Sequence, residues 1–148
     1  MKVDMVTDEN FANILLDVAV LRSLNIQVVL VHGAAAQIKA LAEKQGLQAS
    51  NLDGTGVTDA ATLQIALNAA NRLTHEILEG LAAHDLRAAS TNAIIAHPLG
   101  IIQGVDHQFT GRVQRIDGRE LMRGQDQVKL MRSRSRISAC GRDVPVRR

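Results

Sequence analysis

The chain has no tryptophan and no tyrosine, and two phenylalanines are its whole aromatic content in 148 residues. A platform that stacks single-stranded bases needs aromatic faces, so that class of nucleic-acid binding is excluded, and any core must be packed from Leu, Ile, Val and Ala. The single cysteine, Cys140, excludes an intramolecular disulfide and a thiolate zinc cluster and agrees with a reducing, cytoplasmic location. No stretch approaches 18 continuous apolar residues, and Met1-Lys2-Val3-Asp4 lacks the apolar run of a secretory signal, so neither a membrane partner nor export is expected. The length excludes a large multidomain enzyme.

What is present suits one globular domain, with 46% hydrophobic and 22% charged residues. The net charge of +2 hides a division. Residues 1–111 carry 6 Lys/Arg against 11 Asp/Glu, whereas residues 112–148 carry 11 against 4. Basicity belongs to the last quarter, where Met131-Arg132-Ser133-Arg134-Ser135-Arg136 shows neither a helical face nor a strand alternation. Without a folded scaffold or interleaved aromatics, nucleic acid is not an expected partner. The division predicts a folded body over 1–118 and a basic tail over 119–148 that is disordered or, from Gly124 to Arg148, frame-shifted.

Within the body, Phe11, Ile14, Leu15, Val18 and Leu21 recur at helical spacing and predict a helix from about Asp8 to Ser23, capped by Thr7 or Asp8. Ile26 to Val31 reads as a strand buried on both faces, as in parallel sheets. It turns at His32-Gly33 into a helix over 34–45 that Gly46 stops. A polar loop over 47–57 precedes a long helix through Leu63, Leu67, Ala70, Ile77 and Leu81 to about His84. Arg87 to Ala96 predicts a second core strand, and Leu99–Gln103 with Thr110–Ile116 a β-hairpin. The order implies an α/β fold with a parallel sheet between helices.

Three places are suited to a ligand. At His32, Gly33, Ala34 and Ala35, small residues where a strand enters a helix leave backbone N–H groups open to an anion, although any strand-to-helix turn in an α/β domain needs a small residue. Thr58 and Asp59 either meet an acidic ligand at a second helix N-terminus or belong to a flexible loop in which Thr58 caps that helix. The polar strand centre Ser90-Thr91-Asn92 requires partners, a cleft at Asn92, or an edge position. The five histidines show no metal-ligand spacing and no G-x-S-x-G elbow exists, so no metal and no catalytic residue is assigned.

Five strings in order are more specific: Val6-Thr7-Asp8-Glu9-Asn10-Phe11, Val29-Leu30-Val31-His32-Gly33-Ala34, Val57-Thr58-Asp59-Ala60-Ala61-Thr62-Leu63, Ala96-His97-Pro98-Leu99-Gly100, and Gly104 to Val113 with Ile116-Asp117. Together they resemble the amino-acid-kinase domain of N-acetylglutamate synthases, which is similar to acetylglutamate kinase. The resemblance implies a three-layer αβα sandwich, truncated to its N-terminal half. It implies a parent of arginine biosynthesis that joins the acetyl group of acetyl-CoA to glutamate in a separate domain, with this domain sensing arginine. It further implies glutamate, N-acetylglutamate or arginine as small-molecule ligands, a homo-oligomeric parent, no cofactor in the fragment itself, and a turn matching His32 to Ala35 that in the kinases helps bind a phosphoryl group. Departures from the pattern are the missing first-strand lysine, a glycine run reduced to Gly33 plus alanines, and Gly56 where many relatives have arginine. A fragment of acetylglutamate kinase, and a non-catalytic module that binds an acidic amino acid or dimerises, are the alternatives.

Overall fold

The computed structural model describes residues 10–48, 56–123 and 128–132. Its first half runs α1 (Phe11–Ser23), β1 (Val29–His32), α2 (Ala35–Lys44), α3 (Ala60–Ala82) and β2 (Ala88–Ser90). These three helices stop by one device. At Asn25, Gly46 and Asp85 the backbone turns left-handed, with φ of 59°, 65° and 57°. The following amide then reaches back to the last turn: Ile26 to the Leu21 carbonyl, Leu47 to Ala42 and Leu86 to Leu81, each at 3.0 Å. This Schellman closure satisfies end carbonyls, and after α3 it sets Leu86 against the core. The stop expected at Gly46 is therefore present.

β1 and β2 do not touch. Between them lies β7 (Val128–Arg132), parallel to both, in a sheet of order β1-β7-β2. The expectation of a structureless tail from residue 119 is overturned at its most informative point. α4 (Gly118–Met122) is capped by the Asp117 carboxylate, which accepts from the amides of Arg119 and Glu120 at 3.0 and 3.3 Å. Val128 and Leu130 are fully buried in the middle strand. The sequence misled because Val128-Lys129-Leu130-Met131-Arg132 is short and runs straight into the Arg/Ser stretch. Residues 124–127 and 133–148 lie outside the described structure.

The core forms where α1, α2 and α3 pack on one sheet face: Leu15 and Val18 from α1, Ile38 from α2, Leu73, Ile77 and Leu81 from α3, and Val28, Leu30, Val128 and Leu130 from the sheet. The expected Ile77 and Leu81 lie on the inward seam of α3, but in its first half the seam is rotated from the expected one. Ile65, Ala66, Ala69 and Leu73 are buried, while Leu63, Leu67 and Ala70 are only half-buried. β1 also departs from expectation, since it is not buried on both faces: Val29 and Val31, which point away from the helices, are 44% and 46% exposed.

The expected second core strand is two strands in different sheets. β2 ends at Ser90, Thr91-Asn92-Ala93 form a link, and β3 (Ile94–Pro98) pairs antiparallel with β6 (Gly111–Ile116). Between these arms, β4 (Ile101–Ile102) and β5 (Val105–Asp106) make a tight hairpin around Gln103-Gly104, both at positive φ. The expected hairpin thus exists, but the partner of 111–116 is 94–98 rather than 99–103.

Candidate functional site

β1, β2 and β7 all end at one edge of the parallel sheet, with His32 beside Arg132 and Ser90 beside Leu130 in register. The loops beyond the carboxyl ends of parallel strands are where open α/β sheets bind ligands. His32, Gly33, Ala34, Ala35 and Asn92 all fall at this edge, so the structure brings five of the seven sequence-predicted site residues to one end of the sheet. They differ in burial: His32 and Ala34 are buried, Gly33 is half-buried, and Ala35 and Asn92 are exposed.

His32 is held from below. Its Nε2 lies 3.2 Å from Thr74 Oγ1 on α3, and the Thr74 hydroxyl already donates to the Ala70 carbonyl at 2.8 Å. With its one hydrogen committed, the hydroxyl can only accept, so His32 carries its proton on Nε2. Sequence reasoning missed Thr74, whose signal was a polar residue in the apolar seam of α3. The turn that follows enters α2 through Ala34, whose methyl group cannot cap the helix, and no side chain caps it. The first amides of α2 are therefore without a capping side chain, at the positive end of a 10-residue helix.

Thr58 and Asp59 sit elsewhere. Thr74 lies opposite the sheet edge and Ala60 starts α3, so their separation is roughly 21 Å along the axis at 1.5 Å per residue. Asp59 is the N-cap of α3, its Oδ1 accepting from the Thr62 amide at 2.7 Å. The cap is thus the carboxylate and not Thr58. Thr58 is fully buried and its amide donates to Thr110 Oγ1 at 2.9 Å. The Thr110 hydroxyl faces two acceptors, Thr58 Oγ1 at 3.2 Å and the Gly56 carbonyl at 3.3 Å, and the Phe109 amide donates to the Thr58 carbonyl at 3.2 Å. Thr110, which the sequence did not single out, pins the base of the β3–β6 ribbon to the start of α3.

A shallow cleft of about 150 Å³ runs between α2 and α3, floored by Ala40, Leu41, Ala69 and Leu73 and rimmed by Lys44, Arg72 and Glu76. Pockets for drug-sized ligands are roughly 300–1,000 Å³, so coenzyme A does not fit there.

With this geometry in place, comparison with known proteins is informative. The model of the amino acid kinase family matches residues 4–132. The amino-acid acetyltransferase of Vibrio cholerae serotype O1 is 40% identical over 123 residues, which cover 77% of this chain and 28% of that protein. That of Vibrio vulnificus strain CMCP6 is 39% identical over 137 residues, covering 86% and 31%. N-acetylglutamate synthase from Neisseria gonorrhoeae, solved with coenzyme A and N-acetylglutamate, superposes with a TM-score of 0.69 at 28% identity, over 82% of this chain and 29% of that one. The chain spans about 30% of the length of the relatives it matches.

Proposed function

The chain belongs to the amino acid kinase family, and from that premise we propose that it is the N-terminal part of the kinase-like domain of an N-acetylglutamate synthase, in which a separate portion of the parent joins an acetyl group from acetyl-CoA to glutamate. The observation that carries this reading is the match to amino-acid acetyltransferases, 40% identical across 77% of the chain. The family match over residues 4–132 runs through the same strand-to-helix turn, whose amides have no capping side chain.

On this reading the turn from His32 to Ala35, with Asn92 across the sheet edge, binds the carboxylate of a small amino acid: arginine, glutamate or N-acetylglutamate. A neutral backbone cradle suits a carboxylate, since the helix end offers partial positive charge without a competing side chain. Thr58 and Asp59 position the hairpin rather than contact ligand, because their polar atoms serve the cap and the Thr110 clip. The chain alone performs neither acetyl transfer nor ATP-dependent phosphorylation, and the parent is a cytoplasmic homo-oligomer. Residues 133–148 are the part for which a shifted reading frame remains the proposal, since 128–132 belong to the sheet. Another frame of the coding DNA beyond Arg132 then encodes continuing family sequence, and its absence from both other frames would reject that proposal.

Calorimetry on the purified chain with arginine, N-acetylglutamate and ATP tests the functional reading. Heat from arginine or N-acetylglutamate and none from ATP is the expected pattern. Phosphorylation of N-acetylglutamate by the chain would reject the reading in favour of a kinase.

A further inference from the structure

A glutamine at the third position of a helix often reaches back to the amide of the cap residue, and Gln37 holds that position in α2. Here it does not reach back. Both of its side-chain amide atoms are buried without a hydrogen-bond partner among the described residues, and Gln37 lines the cleft between α2 and α3. An unmet buried amide costs about 1–3 kcal/mol, so a wall group of this kind calls for a partner on the cleft side. The rest of the wall is equally uncommitted. Arg72 and Glu76 stand one turn apart on α3, a spacing that favours an ion pair, yet neither they nor Lys44 at the end of α2 make one among the described residues. Around the apolar floor of Ala40, Leu41, Ala69 and Leu73, the cleft thus offers two cations, one carboxylate and an amide that both donates and accepts. A simple anion would leave Glu76 and the Gln37 carbonyl oxygen unmatched. The volume of about 150 Å³ suits a molecule of roughly benzene's bulk.

We propose that this cleft is a second ligand site, for a zwitterionic α-amino acid with a short apolar side chain. The ligand carboxylate meets Arg72 and Lys44, and its ammonium group meets Glu76. Gln37 donates to the first and accepts from the second, while the hydrocarbon lies on Ala69 and Leu73. The inference stands apart from the reading of the sheet edge, because arginine, glutamate and N-acetylglutamate all carry long polar chains that this apolar floor does not match.

The test titrates the full chain with L-valine and, separately, with 3-methylbutanoate, which keeps the carboxylate and the hydrocarbon but lacks the ammonium group, and follows the backbone amides by NMR. Valine should give saturable shifts across Ala40–Lys44 and Ala69–Glu76 and should bind about tenfold more tightly than 3-methylbutanoate. Glu76→Gln should abolish that preference. Arg72→Gln should weaken both ligands by about tenfold or more, the worth of one charge-assisted hydrogen bond. Gln37→Leu should weaken valine several-fold yet melt no lower than the unmodified chain, because it removes an unmet buried amide; a glutamine with a merely structural role would lower the melting temperature instead. Lys39→Gln, at an exposed position of α2 outside the cleft, should change nothing. No saturable shift, equal binding of the two ligands, or valine affinity indifferent to both Arg72→Gln and Glu76→Gln would each overturn the proposal. Valine shifts confined to Ala35 and Ala36 would overturn it too, by placing the ligand at the sheet edge, and would leave the family reading intact.

Discussion

Two helix entrances in this chain look alike in sequence and are opposite in structure. Each places small or polar residues before a helix, Gly33-Ala34-Ala35 before α2 and Gly56-Val57-Thr58-Asp59 before α3, and each promised an anion site at a positive helix end. At α3 the chain has filled that site itself: Asp59 accepts the Thr62 amide, and Thr58 is buried against Thr110. At α2 the entrance ends in alanine and no side chain closes it. A helix N-terminus is available to a ligand only where the protein has not already supplied its own acceptor.

The contrast can be broken in graded ways. The largest effect is expected from Leu130→Ala, since Leu130 is fully buried in the strand that pairs with β1 and so holds the α2 entrance in place. Removing it should cost about 2–5 kcal/mol in chemical denaturation, and amide exchange should quicken at β1 and α2 before it does at the Thr58–Thr110 clip. An unchanged midpoint would mean that 128–132 do not belong to the core. Next, Thr110→Val keeps the shape but removes the acceptor of the buried Thr58 amide, for about 1–3 kcal/mol, with exchange quickening at Thr58 and not at Ala35. Asp59→Ala should cost roughly 1 kcal/mol by loss of the cap and leave binding of arginine or N-acetylglutamate intact. The smallest change in stability is expected from Ala34→Ser, which supplies the missing cap: a gain of about 0.5–1 kcal/mol in melting experiments, together with weaker ligand binding. If Asp59→Ala weakened ligand binding more than Ala34→Ser did, the assignment of open and closed entrances would be reversed.

Much of this is legible in the sequence. Helical spacing located α1, α2 and α3, and Gly46 marked a stop that the Schellman bond confirms. The β-branched run ending at His32 located β1. What the sequence could not carry was pairing. Ser90 and Ile94 read as one strand because nothing local says that Thr91-Asn92-Ala93 hands the chain to another sheet. Val128–Arg132 read as tail because a five-residue central strand takes its identity from two neighbours nearly 40 and 100 residues earlier in the chain. The site divided along the same line. Its turn was visible in Gly33 and the following alanines, whereas Thr74 under His32 and Thr110 under Thr58 are tertiary partners that no spacing rule connects.

The most direct test of the central claim is an amide NMR titration of the full chain with arginine and, separately, N-acetylglutamate. The account predicts that shifts concentrate at the amides of Ala35, Ala36 and Gln37, in the uncapped first turn of α2, while those of Ala60, Ala61 and Thr62 stay fixed. Shifts concentrated at Ala60 to Thr62, with the α2 amides unmoved, would contradict it.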